Sequence, residues 1–297
     1  MQELKGLGVA MITPFQANEA VDYHALERLV NHLHTGADFL VVMGTTGESV
    51  TLTEKEEFEV LDFILEINKQ KLPVVFGIGG NNTARVAAQM KSFDRKGVIA
   101  FLSASPAYNK PTQEGIFRHY SALSKASKLP IILYNVPGRT ASNVLPTTVL
   151  KIAESCKNII GIKEAAGSIE QVMELRRILP TDFLLLSGDD NLALPHMACG
   201  GDGIISVVGN AYPKMFSEVI HASANGDFET ARKLHFALLP LIENLFKEGN
   251  PGGIKETLMH LGICQNHMRL PLYPVSETLS KHLKENTEKL AGVYHHG

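Results

Sequence analysis

The run Ile159-Ile160-Gly161-Ile162-Lys163-Glu164-Ala165 (IIGIKEA, 159–165) is apolar at successive positions until it meets a lysine. A strand that is apolar on both faces belongs in a parallel sheet covered on its two sides. Seven further runs have the same character: GVAMITPF (8–15), FLVVMGT (39–45), PVVFGIG (73–79), IAFLSASP (99–106), PIILYNVP (130–137), FLLLSGDD (183–190) and GIISVVGN (203–210). Between them apolar residues recur at helical spacing, as over Asp22 to His34, Glu54 to Asn68, Asn82 to Lys96 and Gln113 to Ala126. Strands alternating with helices require a parallel sheet. Successive runs start about 20 to 35 residues apart, the length of one βα unit, and eight is the number that closes a barrel. An open doubly wound sheet would show a glycine-rich phosphate turn after its first strand, whereas the first run here ends in Thr13-Pro14-Phe15. The expected fold is an α/β, (β/α)₈ barrel over residues 1–212, followed by C-terminal helices over 213–297, with helical segments at 213–226, 228–247, 251–262 and 276–291.

A length of 297 residues with 44% apolar content suits one barrel plus an appendage. The 28 basic residues against 31 acidic ones leave a net charge of -3, which excludes the basic footprint of a nucleic-acid or anionic-membrane binder. The longest apolar stretches, six to nine residues, are far short of a membrane span. The start, MQELKGLGVAMITPF, lacks the pattern of a secretory signal, so a cytoplasmic location is expected. Cys156, Cys199 and Cys264 are odd in number and widely spaced, and read as reduced structural residues. The tail VYHHG (293–297) carries no part of the argument.

A barrel enzyme builds its active site at the carboxyl ends of its strands. The polar residues that end the runs are Thr45-Thr46-Gly47-Glu48, Tyr108, Tyr134, Arg139, Lys163-Glu164 and Gly188-Asp189-Asp190. Lys163 continues a strand that should be buried. Burial disfavours the ammonium, freeing a neutral amine to attack a ketone. A snorkelling lysine, or one paired with Glu164, is the bland alternative. Tyr134 ends the preceding strand, so its hydroxyl should lie near that amine and could shuttle protons. It could equally be packed with its hydroxyl on a backbone carbonyl. The turn at 44–48 offers two hydroxyls and several amides that could hold a carboxylate, although Ser49 or Thr53 could simply cap the next helix.

Other patterns are weaker. His32 and His34, two apart on a helix, point in different directions, so no metal site is expected there. Asp189 and Asp190 precede a helical segment and read as caps. Gly77 to Asn82 lacks the spacing of a phosphate loop, and no cofactor is expected.

Taken together, GTTGES (44–49), SPAYNKPTQEGIFRHY (105–120), YNVPGRT (134–140), GIKEA (161–165), SGDD (187–190) and GGDGIIS (200–206) resemble the dihydrodipicolinate synthase and N-acetylneuraminate lyase family over residues 5 to 290. The resemblance implies a class I aldolase-type lyase in which Lys163 forms a Schiff base with pyruvate. It implies a proton relay of Tyr134, Thr46 and Tyr108, the last supplied by a neighbouring subunit. Thr45 and Thr46 would bind the pyruvate carboxylate, with Gly188 and the backbone around Ile205 lining the pocket. An active dimer, paired into a homotetramer, follows. Arg139 matches the arginine with which the family's synthases bind the carboxylate of L-aspartate 4-semialdehyde, the two-point contact a guanidinium makes well. Pyruvate and that aldehyde are therefore the expected substrates, on the route to diaminopimelate and lysine. An N-acetylneuraminate lyase or another pyruvate-dependent 2-keto acid aldolase is the alternative, and a non-catalytic keto-acid sensor the rival of a different class.

Three departures from the family pattern bear on control. Ala107 stands where many members have a tyrosine stacked across the dimer interface. Arg85 replaces a glutamate that receives the ammonium of inhibitory lysine, and Glu54 and Glu57 stand at histidine positions. A cation facing a cation repels, so feedback inhibition by lysine is expected to be weak or absent.

Overall fold

The computed structural model describes residues 2–294, and the HHG that ends the tail lies outside them. The eight strands are β1 (Gly6–Ala10), β2 (Phe39–Val42), β3 (Val74–Gly77), β4 (Val98–Ala104), β5 (Ile131–Asn135), β6 (Ile159–Glu164), β7 (Leu184–Ser187) and β8 (Gly203–Ser206). Each pairs in parallel with its neighbours in chain order, and β1 closes on β8 through Gly6↔Gly203 to Val9↔Ser206, giving a complete barrel. Each expected run overlaps one strand: β1 and β4 begin before their runs, at Gly6 and Val98, and every run continues past the end of its strand. The reason is that the chain stays buried after the ladder ends: Met11, Ile12 and Phe15 follow β1 and are at most 2% exposed.

The helices are α1 (Tyr23–Leu33), α2 (Glu54–Asn68), α3 (Thr83–Ser92), α4 (Gln113–Ala126), the single-turn α5 (Pro137–Thr140), α6 (Pro146–Ser155), α7 (Ile169–Ile178), α8 (Ala193–Ala198), α9 (Pro213–Ala224), α10 (Phe228–Phe246), α11 (Gly252–His260) and α12 (Glu277–Tyr294). Local chemistry sets their starts. Asp22 Oδ1 accepts from Ala25 N at 3.0 Å, and Thr53 with Glu56 forms a reciprocal capping box at the head of α2. The α9 helix follows β8 around the ring and lies against β1 and α8, while α10, α11 and α12 pack on one another outside it.

Two apolar layers hold the barrel. Leu133, Ile162, Leu185 and Ile204 face outward to the helices, whereas Phe39, Val41, Val75, Leu102, Ile132, Leu186 and Ile205 fill the interior. Side chains alternate along a strand, so this parity decides which polar residues face the barrel axis. Ile132 and Tyr134 point inward from β5, and in the registered β6 Gly161 and Lys163 do the same. Asn135 and Glu164, one position later, point outward.

Candidate active site

Tyr134 is registered directly with Lys163, and the lysine Nζ lies 4.4 Å from the centre of the tyrosine ring. Both side chains are buried, at 8% and 6% exposure. Burial lowers the Lys163 pKa to about 8, against the opposing pull of Asp190 and Asp189 and with a small further push from Arg139. The same burial raises the Tyr134 phenol to about 12, with Arg139 and a hydrogen bond from Thr45 opposing. An amine that gives up its proton more readily than an ordinary lysine thus sits beside a phenol that keeps its proton for donation. Gly188 completes the pocket wall: a Cβ there would lie 2.8 Å from Lys163 Cε and 2.6 Å from Ala165 Cβ, so only glycine leaves the amine its position.

Glu164 is not the partner of Lys163. Its carboxylate faces outward and accepts from Asn135 Nδ2 at 3.1 and 3.0 Å, from Ala166 N at 2.7 Å and from Gln171 Nε2 at 3.0 Å. Asn143 extends the network, accepting from Asn135 Nδ2 at 2.8 Å. These bonds tie the outer face of β5 and β6 to the loop after Arg139. The ion-paired alternative for Lys163 is therefore excluded by strand parity. It is Tyr120, not Tyr134, whose hydroxyl rests on a backbone carbonyl, that of Ser103 at 2.8 Å.

The threonine turn is bent hard at both ends. Met43 and Glu48 have φ of 60° and 54°, the left-handed region that non-glycine residues rarely occupy. Gly77 on β3 permits the bend, since a Cβ there would fall 2.2 Å from the Met43 carbonyl oxygen. Thr45 is the threonine whose side chain acts on the Tyr134 phenol. Thr46 is turned instead toward the C-terminal segment and accepts from Asn250 Nδ2 at 3.1 Å. Of the two hydroxyls, that of Thr45 acts on the Tyr134 phenol, while that of Thr46 meets Asn250.

The remaining expected residues divide. Ile205 on β8 lies inside the barrel at 0% exposure, beside the registered Gly8. Arg139 rides on α5 at the exposed rim, and its charge acts on both Lys163 and Tyr134. Tyr108 is 91% exposed, with φ of 64°. Asp189 and Asp190 do not cap the turn that follows them. Asp190, its pKa raised to about 6 by burial, accepts from Val207 N at 3.0 Å and Val208 N at 2.7 Å, and Asp189 accepts from Gly167 N at 3.1 Å. They brace the loops after β8 and β6 around the lysine.

His32 bonds the Ala211 carbonyl at 2.9 Å and His34 bonds Asn68 at 2.9 Å. Among the described residues no group of three or more His, Cys, Asp or Glu side chains could hold a metal ion. Sequence reasoning missed Asn250, Lys255 and Arg269, which reach the rim from the C-terminal segment. The motif NPGGIK (250–255), polar at both ends inside a helical stretch, was the only available signal.

A buried strand lysine with a depressed pKa, a tyrosine in register and a hydroxyl-bearing turn at the carboxyl end of a closed barrel define an enzyme of the lysine-imine, lyase-type class. The Dihydrodipicolinate synthetase family model matches residues 3–290. The 4-hydroxy-tetrahydrodipicolinate synthase of Flavobacterium psychrophilum is 49% identical over 98% of this chain and 100% of its own, and that of Parabacteroides distasonis 43% identical over 97% of each. Among solved structures, the dihydrodipicolinate synthases of Aquifex aeolicus and Thermotoga maritima superpose with a TM-score of 0.93 each, at 38% and 40% identity, covering 97% of this chain and 98% and 99% of theirs. The chain belongs to the dihydrodipicolinate synthetase family.

Proposed function

We propose that the chain condenses pyruvate with L-aspartate 4-semialdehyde, as a 4-hydroxy-tetrahydrodipicolinate synthase of diaminopimelate and lysine biosynthesis. The observation that carries this reading is Lys163, a buried amine in register with Tyr134. The neutral amine adds to the ketone of pyruvate, and loss of water leaves an iminium. Loss of a methyl proton then gives an enamine, whose carbon attacks the aldehyde. The aldehyde's own amine displaces Lys163 as the ring closes, returning the enzyme.

Tyr134 suits the proton transfers of imine formation, and Thr45, whose side chain acts on its phenol, is the relay threonine in this reading. Thr46, fixed by Asn250, is left to help hold the pyruvate carboxylate with the turn's amides, against the wall formed by Gly188 and Ile205. Arg139, at the rim, receives the carboxylate of the aldehyde. Tyr108 is too exposed to serve its own site, which supports a role across a subunit contact in a dimer, itself paired into a tetramer. One solved relative, 39% identical with a TM-score of 0.94, is described as a monomeric dihydrodipicolinate synthase variant, so the assembly varies among proteins of this kind. Among the described residues no helix is long and apolar enough to cross a membrane, in keeping with work in the cytoplasm.

The test is mass spectrometry of the protein after pyruvate and borohydride, followed by turnover with aspartate semialdehyde and with sialic acid. A trapped adduct with turnover of the semialdehyde is expected. An adduct with turnover of sialic acid alone would transfer the assignment to the lyase branch, and no adduct would end the imine mechanism. Arg139→Ala should raise KM for the semialdehyde while leaving pyruvate trapping intact.

A further inference from the structure

Lys255 and Glu48 form an ion pair whose side chains are both 0% exposed, joining α11 to the threonine turn from the far end of the chain. A fully buried pair stabilises a fold poorly, because an apolar pair of similar size avoids the cost of removing two charges from water. What it does well is fix one arrangement. The pair's other contacts tie the segment after α11 and Phe15 to the same turn. Lys255 Nζ also donates to the His267 carbonyl at 2.9 Å and sits 4.3 Å from the centre of the Phe15 ring. Arg269, two residues beyond His267, donates its backbone N–H to Glu48 Oε2 at 3.4 Å and its guanidinium to the Thr51 carbonyl at 2.9 Å. Glu48 in turn donates its own backbone N–H to the Thr45 carbonyl at 3.1 Å. The side chain of Glu48 is thus anchored by Lys255 while its backbone is bonded to Thr45.

We propose that Lys255, acting through Glu48, is a positioning residue that holds the strained threonine turn so that Thr45 stays against Tyr134. This rests on the imine reading of the site. Left-handed backbone at Met43 and Glu48 persists only where the surroundings over-determine it. Thr13 Oγ1, donating to the Gly47 carbonyl at 2.7 Å, holds the turn from the β1 side, and Lys255 with Asn250 holds it from the C-terminal side. The helices after the barrel therefore contribute to the site without reaching the reacting atoms. Releasing the clamp lets the turn relax, and a displacement of about 1 Å in a positioning element is enough to cost on the order of 10²-fold in rate.

The experiment compares the intact chain with Lys255→Met and Glu48→Gln, reading melting temperature, the rate of borohydride trapping by pyruvate, and kcat with separate KM values for the two substrates. The expected result is a fall in trapping rate and kcat of about 10²-fold and a raised KM for pyruvate, in protein that still melts cooperatively, with KM for the aldehyde unchanged. Unchanged trapping and kcat in folded variants would overturn the clamp, as would equal deterioration of both KM values, which marks general loosening. If Lys255→Met does not fold, the nearly isosteric Glu48→Gln carries the same test. Failure of the intact chain to trap pyruvate would instead overturn the imine reading and the clamp with it.

Discussion

The lysine side and the threonine side of the pocket are held in opposite ways. Tyr134 and Lys163 lie on adjacent strands, registered by the barrel's own hydrogen bonds, and both are inward by parity. Nothing beyond β5 and β6 is needed to bring them together. The threonine turn has no ladder. It leaves β2 through a strained residue, returns through another, and depends on Thr13, Asn250, Lys255 and Arg269 for its shape. A site can thus be rigid where the scaffold is regular and still depend on distant contacts where the chain must turn.

Single substitutions can break this contrast at graded strengths. Lys163→Ala should abolish the borohydride-trapped adduct altogether, since among the described residues no other lysine lies on a strand; an adduct that survived would relocate the nucleophile. Tyr134→Phe should slow turnover by about 10²- to 10⁴-fold, the usual span for a lost acid or base, while the trapped adduct still forms slowly. Thr45→Val should cost about 10- to 10²-fold in kcat, or ~1–3 kcal/mol, if its hydroxyl relays protons to Tyr134. Thr46→Val should cost less, because its hydroxyl bonds Asn250 and not Tyr134. A reversed order would return the relay to Thr46.

The smallest effects concern pH and control. Only the neutral amine attacks, so the trapping rate should rise with pH up to about 8, where the depressed Lys163 pKa lies, and level off above it. A rate still climbing toward the ordinary value of 10.5 would mean that burial does not depress this lysine. At α3 and α2, the Arg85 charge opposes the rise of Glu57, which burial and Glu54 push to about 7. Millimolar L-lysine should consequently inhibit little, and strong inhibition in a steady-state assay would show that Arg85 does not repel the ligand.

Much of the barrel was legible because its signal is local. An apolar run buried on both faces announces itself over six residues, and caps such as Asp22 and Thr53 sit within three residues of what they cap. The lysine and tyrosine were legible for the same reason: each ends a run, and neighbouring strands in a βα barrel are neighbours in sequence order. The roles of Asp189 and Asp190 were not, because their partners, Gly167 and Val207 to Val208, belong to other loops. Nor could the pattern GTTGES say which of two adjacent hydroxyls faces Tyr134. That depends on the path of a strained turn, and the turn is shaped by residues some 200 positions away.

The amino-acid sequence by itself determined the eight-strand barrel and the lysine and tyrosine that end two neighbouring strands, because hydrophobic periodicity acts over a few residues. Only the tertiary structure decided that Thr46 is held by Asn250, that Glu164 turns away from Lys163 into an outer network, and that Glu48 is paired with Lys255. Those outcomes depend on which side chains converge when distant segments pack, and on the cost of burying a charge that finds no partner there.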